Sequence, residues 1–310
     1  MLRNVILSVA KRRLIENFVR NSSLTKRVVR RFIAGNCLDE AMPIVEGLVE
    51  SGYKTSLDFL GEDTTNPEEA DAALAEYLRV VDAIAASPHR GGWQPENINI
   101  SIKLSQLGLL ADFQGCGRRL IRLLEAAEKY RIFVRIDMES SSTVDATLEL
   151  AEAAFCKHRN VGIVLQAMLH RTATDLDWAI ARRIRVRLVK GAYLEPPAVA
   201  LQKKSEVDAA YLQYAQRLAL DGIFPAFATH DATLARAIAD YADANAVGPG
   251  RFEFQMLYGI ARRLQRDLKR EGRIVRVYCP YGDSWYPYFT RRLAERPANL
   301  AFFLRSLFSR

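Results

Sequence analysis

Residues 184–193 read Ile-Arg-Val-Arg-Leu-Val-Lys-Gly-Ala-Tyr. Arginines alternate with aliphatic residues, and the run ends on Lys190 beside Gly191, as a strand that hands a cation to a loop. Such a lysine suits three roles: a Schiff-base nucleophile, an anchor for a phosphate or cofactor, or a solvated surface charge. A second run, Phe227-Ala-Thr-His-Asp231, ends on three hydrogen-bonding side chains. His230 has no histidine or carboxylate four residues on, so a zinc site lacks local support; ligand contact and a satisfied structural role both stay open. Further on, Tyr288, Arg291, Arg292 and Glu295 stand at i, i+3, i+4 and i+7 of a helix beginning near Pro287, all on one face. Two adjacent guanidinium groups there form a permanently charged planar clamp for a carboxylate or phosphate, the alternative being a solvated stripe.

Chemistry of this kind needs elements that converge. From about residue 53, β-rich runs recur at Thr55–Gly61, Asn97–Leu107, Ile132–Glu139, Val161–Met168, Ile184–Val189, Phe224–Thr229, Phe252–Leu257 and Val275–Tyr278. Stretches with helical spacing separate them, among them Pro67–Ser87, Arg118–Tyr130, Thr143–Lys157 and Ala232–Asn245. Eight strands alternating with helices predict an α/β fold, a (β/α)8 barrel of the TIM type. A doubly wound sheet is the rival, but no strand is followed by a complete GxGxxG; Gly115-Cys-Gly117 runs into Arg118 and Arg119.

One parity of these strands is polar. Asn99, Ser101, Lys103 and Ser105 alternate with Ile98, Ile100, Ile102 and Leu104; Arg135, Asp137 and Glu139 with Val134, Ile136 and Met138. The pattern returns at Arg185 and Arg187, at Glu253 and Gln255, and at Arg276 and Tyr278. Ionisable groups on the inner face of a barrel require a partner or a ligand. Mixed signs let part of the set be structural; the rest mark a site.

Composition narrows the class. The 310 residues are 49% hydrophobic and 26% charged, which excludes disordered and low-complexity chains. No apolar run approaches the ~20 residues of a spanning helix. Cys37, Cys116, Cys156 and Cys279 form no CxxC pair, the usage expected of reduced thiols in a cytoplasmic protein. The net charge of +8 is confined: residues 1–32 hold nine basic side chains and one acid, and the remainder holds 35 of each sign. A general nucleic-acid surface is therefore not expected. Within that segment Leu2, Val5, Ile6, Val9, Leu14, Phe18 and Val19 recur at roughly helical spacing among the cations. This describes a basic amphipathic helix, either packed on the domain, lying on an anionic membrane or acting as a targeting segment. The expected organisation is an N-terminal helical arm, 1–52, and a barrel, 53–310.

These stretches together resemble the proline dehydrogenase family in its monofunctional bacterial form. The matching residues are Ser101-Ile-Lys-Leu-Ser105, Ile136-Asp137, Leu165-Gln166-Ala167, Arg187 through Tyr193, Ala228-Thr-His230, Phe252-Glu-Phe-Gln255 with Leu257-Tyr-Gly259, and Val277-Tyr278 through Arg291-Arg292. They run in the family's order over roughly residues 50–305. Gly-Ala-Tyr-Leu-Glu-Pro-Pro and Trp-Tyr-Pro-Tyr-Phe resemble the spellings of the monofunctional branch.

The resemblance implies an enzyme that binds FAD at the carboxyl end of the barrel, with no metal. It would oxidise L-proline to Δ1-pyrroline-5-carboxylate and pass the electrons to a membrane quinone. Carried over, Lys103, Arg291 and Arg292 hold the substrate carboxylate, Tyr278 and Tyr288 wall the ring with Leu257 near, and Asp137 orients the cations and the tyrosine. Gln166, Arg187, Lys190, Gly191, Thr229, His230 and Glu253 contact the cofactor, and Tyr193 and Glu295 shape the rim. The protein is then expected to be cytoplasmic, with peripheral membrane contact through its arm. Two other readings fit the bare residues: an aldolase-like barrel with Lys103 or Lys190 as the Schiff-base lysine, and a catalytically silent barrel tethered by its arm.

Overall fold

The computed structural model describes residues 29–61, 64–91, 96–288 and 290. Eight parallel strands close into a barrel in chain order. They are β1 Lys54–Phe59, β2 Ile98–Ile102, β3 Val134–Ile136, β4 Val161–Gln166, β5 Arg185–Val189, β6 Ala226–Ala228, β7 Glu253–Leu257 and β8 Ile274–Tyr281. Helix α1, Leu38–Glu50, precedes β1 and covers the seam between β1 and β8. Crossover helices then follow the first seven strands: α2 Pro67–Ala86, α3 Phe113–Lys129, α4 Val144–Lys157, α5 Thr172–Ala181, α6 Lys204–Asp221, α7 Ala232–Ala244 and α8 Arg262–Arg270. Most of the basic arm lies outside the described residues. Its last part does not: Val29, Phe32 and Ile33 pack with Leu60, Ile260, Trp285, Tyr286 and Tyr288 in an apolar cluster separate from the main core.

The helices start where local chemistry satisfies their first amides. At α2, Pro67 occupies the first turn, Asn66 Oδ1 accepts from the Glu69 N–H at 2.9 Å, and the Glu69 carboxylate accepts from the Thr65 N–H at 2.8 Å. The Gly115-Cys-Gly117 segment lies inside α3, capped by Asp112, and is no phosphate loop.

All eight expected strands form, with shifted ends. β2 stops at Ile102 rather than Leu107, because the Glu139 carboxylate accepts from Ser105 N (3.0 Å) and Oγ (2.6 Å) and holds Leu104–Leu107 as a 3-10 turn. β8 continues to Tyr281 because β1 pairs with it over six positions, Lys54↔Arg276 to Phe59↔Tyr281.

The polar parity does face the interior, on two levels. On the lower level Arg276, fully buried, meets Glu253 at 2.9 Å and Glu96 at 3.4 Å, and donates to the carbonyl oxygen of Thr55 at 2.7 Å. Arg185 pairs with the same Glu96 at 3.2 Å and lies over the Phe133 ring at 3.8 Å. Arg135 donates to the carbonyls of Ile163 (3.0 Å) and Arg185 (2.7 Å). Burial, then Arg187 and Arg185, pulls its guanidinium well below the ordinary value. Burial would raise the Glu253 carboxyl, but Arg276 outweighs it and leaves that carboxyl below its usual value. This level is an ionic plug, and the upper level stands on it.

Candidate active site

Above the plug, all eight strands or the residues that follow them line one cavity of about 500 Å³ at the carboxyl end of the barrel. That is the face where barrels of this type carry their catalytic groups. At its floor lies a compact polar cluster. Lys103 Nζ meets Asp58 Oδ1 at 2.6 Å and stands 3.9 Å from Asp137. Asp137 takes Arg187 Nη1 on one oxygen at 2.5 Å and the Tyr278 hydroxyl on the other at 2.7 Å. Arg187 also donates to Ser101 Oγ at 2.9 Å, and its guanidinium lies 5.3 Å from the centre of the Tyr278 ring. Every polar end of Asp137 is thus committed, so its partners are held in place rather than free to rotate.

The charge states follow from this packing. Burial pulls the Lys103 ammonium down, but Asp58 and Asp137 together outweigh it and leave it above the ordinary lysine value. Burial, with Asp137 and Asp58 behind it, pushes the Tyr278 phenol well above its ordinary value, so it remains a donor. A Schiff-base lysine requires a neutral amine, and the 2.6 Å pairing with the buried Asp58 carboxylate speaks against that state for Lys103.

The cavity wall brings in most of the other expected residues. Gln166 lies in it and donates to the Glu139 carbonyl at 2.8 Å. Lys190 reaches Asp208 at 2.5 Å and Asp231 at 3.4 Å. Lys204, at the mouth, pairs with both of these acids. Burial raises the carboxyls of Asp208 and Asp231, but Lys190 and its neighbours bring both below the usual range. Thr229 and His230 line the wall together with Leu257. The Leu257 N–H donates to His230 Nε2 at 2.9 Å, so this histidine has a structural bond as well as a place at the cavity. Gly191 adopts φ +118, and a Cβ there would overlap Met168. Tyr288 and Tyr193 complete the lining. The Glu195 carboxylate accepts from Ser141 N (2.7 Å) and Oγ (2.5 Å), tying the segment that carries Tyr193 to the start of α4.

Glu253 is the exception. It was expected at the cofactor, but it sits at the start of β7, fully buried against Arg276 and Gln255, and does not line the cavity. Arg291, Arg292 and Glu295 lie outside the described residues. Three participants went unnoticed in the sequence. Asp58 shares the inward parity of β1 with Ser56, the same signal that marked the other strands. Asp208 sits on a helix and Glu96 in the segment before β2, where strand parity gives no signal. Among the described residues no group of three or more His, Cys, Asp or Glu converges as a metal site would.

The family model described as proline dehydrogenase matches residues 41–305. "Proline dehydrogenase 2" of Bacillus subtilis (strain 168) is 35% identical over 305 residues, which cover 98% of either chain. "Proline dehydrogenase" of Deinococcus radiodurans is 36% identical over 312 residues, 99% of this chain and 98% of that one. In structure, the proline utilization A (PutA) of Bdellovibrio bacteriovorus inactivated by N-propargylglycine superposes with a TM-score of 0.80 at 26% identity, over 90% of this chain and 33% of that chain. Barrel, cavity and near full-length matches lead to one conclusion: the chain belongs to the proline dehydrogenase family.

Proposed function

We propose that this proline dehydrogenase uses FAD held in the barrel-top cavity, converts L-proline to Δ1-pyrroline-5-carboxylate, and delivers the electrons to a membrane quinone. The observation that carries the reading is the floor cluster: Lys103, Asp137, Arg187 and Tyr278 meet at one end of a single cavity. The lining suits a flavin nucleotide. It offers Arg187 and Lys190 as cations, and Gln166 and Thr229 as hydrogen-bonding groups. When bound, the flavin supplies the hydride acceptor and the route to the quinone.

The protein's part is placement. A small zwitterion has one strong handle, its carboxylate, which Lys103 takes from the floor; the family resemblance adds Arg291 and Arg292. Tyr278 and Tyr288 confine the ring, and Tyr278 cannot swing away because Asp137 holds its hydroxyl. Cations around the site favour loss of the amine proton, freeing the nitrogen lone pair for the oxidation. With FAD supplied, the purified protein should show a flavin absorption band that L-proline bleaches in the absence of oxygen. A protein that binds no flavin, or whose band proline leaves untouched, would sink the proposal.

Tyr278 also sets a specificity. In the family reading it packs where a 4-hydroxyl group on the ring would project. The kcat/KM for proline should exceed that for trans-4-hydroxyproline at least tenfold, a difference of about 1.4 kcal/mol, and Tyr278→Ser should narrow the gap. Equal values in the unaltered enzyme would contradict this.

The arm completes the reading. An enzyme that reduces a membrane quinone must approach the bilayer, and each basic residue near an anionic surface contributes about 1 kcal/mol. The site for truncation is dictated by the fold. Val29, Phe32 and Ile33 pack beside Tyr288, so a cut that includes them would damage the cavity wall. Removing residues 1–28 should abolish co-sedimentation with anionic vesicles at low salt while proline oxidation by a soluble dye persists. Undiminished vesicle binding would leave the arm without this role.

A further inference from the structure

Asp58 is the acid at the cavity floor with the least access to solvent. Its side chain is 1% exposed, and that of Lys103 is 22% exposed. The two groups come from adjacent strands: Asp58 lies near the end of β1, opposite Ser101 of β2, and Lys103 follows β2 directly. Burying a carboxylate is costly unless a partner offsets it. Burial raises the Asp58 carboxyl, Lys103 opposes that rise, and Asp137 reinforces it.

This pair differs from those in the plug below. Arg276 and Arg135 are each tied to backbone carbonyls as well as surrounded by charge, and neither lines the cavity. Lys103 does line it, on a flexible four-carbon stem with three donors. The other acid in reach, Asp137, stands 3.9 Å away, with Arg187 on one oxygen and Tyr278 on the other. Asp58 therefore decides where the Lys103 ammonium sits. One donor is spent on Asp58, and the ammonium stays at the floor where a ligand carboxylate can meet it.

We propose that Asp58 is a positioning residue of the substrate site, fixing the Lys103 ammonium so that it meets the carboxylate of proline. This rests on the reading of Lys103 as a carboxylate contact. Charge alone and position give opposite signs. Removing a negative charge from the cavity strengthens the pull on an anion, whereas releasing Lys103 weakens its grip.

The test is a calorimetric titration of the flavin-loaded enzyme with cyclopentanecarboxylate, which has the ring and the carboxylate but no nitrogen. The variants are Asp58→Asn, Asp58→Glu, Lys103→Met, and the pair Asp58→Asn with Lys103→Met. Positioning predicts that Kd rises at least fivefold in Asp58→Asn, at least threefold in Asp58→Glu, and at least tenfold in Lys103→Met. On the Lys103→Met background, Asp58→Asn should no longer raise Kd, since the positioning effect acts through the missing ammonium and only the charge effect, which lowers Kd, is left. Asp58→Glu keeps the charge but moves the ammonium, so it still decides the matter if Asp58→Asn fails to load flavin. A lower or unchanged Kd in Asp58→Asn or in Asp58→Glu overturns the positioning role, as does an effect that persists in full without Lys103. An unchanged Kd in Lys103→Met removes the carboxylate reading and the positioning role with it.

Discussion

Glu253→Ala should lower the midpoint of thermal unfolding by roughly 6–20 °C without removing flavin from the protein that stays folded. Truncation leaves Arg276 buried with Glu96 as its remaining acid. Breaking one partner from a buried pair costs about 3–5 kcal/mol, and each kcal/mol moves the midpoint of a domain this large by roughly 2–4 °C. Because the folded carboxyl is held below its ordinary value of 4.5, its contribution is present at neutral pH and lost as pH falls through the folded value. The gap between the unaltered protein and Glu253→Ala should therefore narrow in acid. Calorimetry at pH 7 and below pH 4.5 checks both statements. Loss of flavin affinity with an unchanged midpoint would return Glu253 to the cofactor.

Arg187→Met should reduce kcat for proline with a dye acceptor by about 10²–10³. Three things go at once: the 2.5 Å bond that holds Asp137, the bond to Ser101, and the cation over the Tyr278 ring. Asp137 is then left to Tyr278 and the more distant Lys103. Arg187→Lys keeps the charge but not the two-pronged geometry, and should recover only a small part of the rate. Steady-state kinetics on flavin-loaded protein measures both. A loss below fivefold in Arg187→Met would show that the cluster does not organise the reaction.

The strands were legible because eight β-rich runs alternate with helical spacing, and the inward parity was legible because charge rarely repeats on a strand without reason. Depth was not. Glu253 and Gln255 share a parity, yet only the residue nearer the carboxyl end of β7 reaches the cavity. A step of two residues along a strand separates a plug from a site, and periodicity does not measure it. Nor does periodicity show the end of β2, which depends on a carboxylate 34 residues away. Asp58 carries a weaker signal although Ser56 and Asp58 repeat the polar alternation seen in β2, because Thr55 puts a polar residue on the opposite parity as well. Lys103 and Arg187 were legible in type and place, but their partners come from other strands, and pairing across a barrel needs the register.

The lower plug also governs how the chain can fold. Arg276 reaches the Thr55 carbonyl across 221 residues, and Glu253 across 23. Until β8 is synthesised, Glu96 has Arg185 but Glu253 lacks its guanidinium, and water remains the best surroundings for that carboxylate. A nascent chain carrying seven strands therefore gains little by collapsing its interior, since closing early would strand the Glu253 carboxylate without its guanidinium. The last strand brings both the seam with β1 and the guanidinium that lets the interior dry. Barrel closure thus waits for the final strand, which favours one cooperative step late in synthesis over a succession of half-closed sheets.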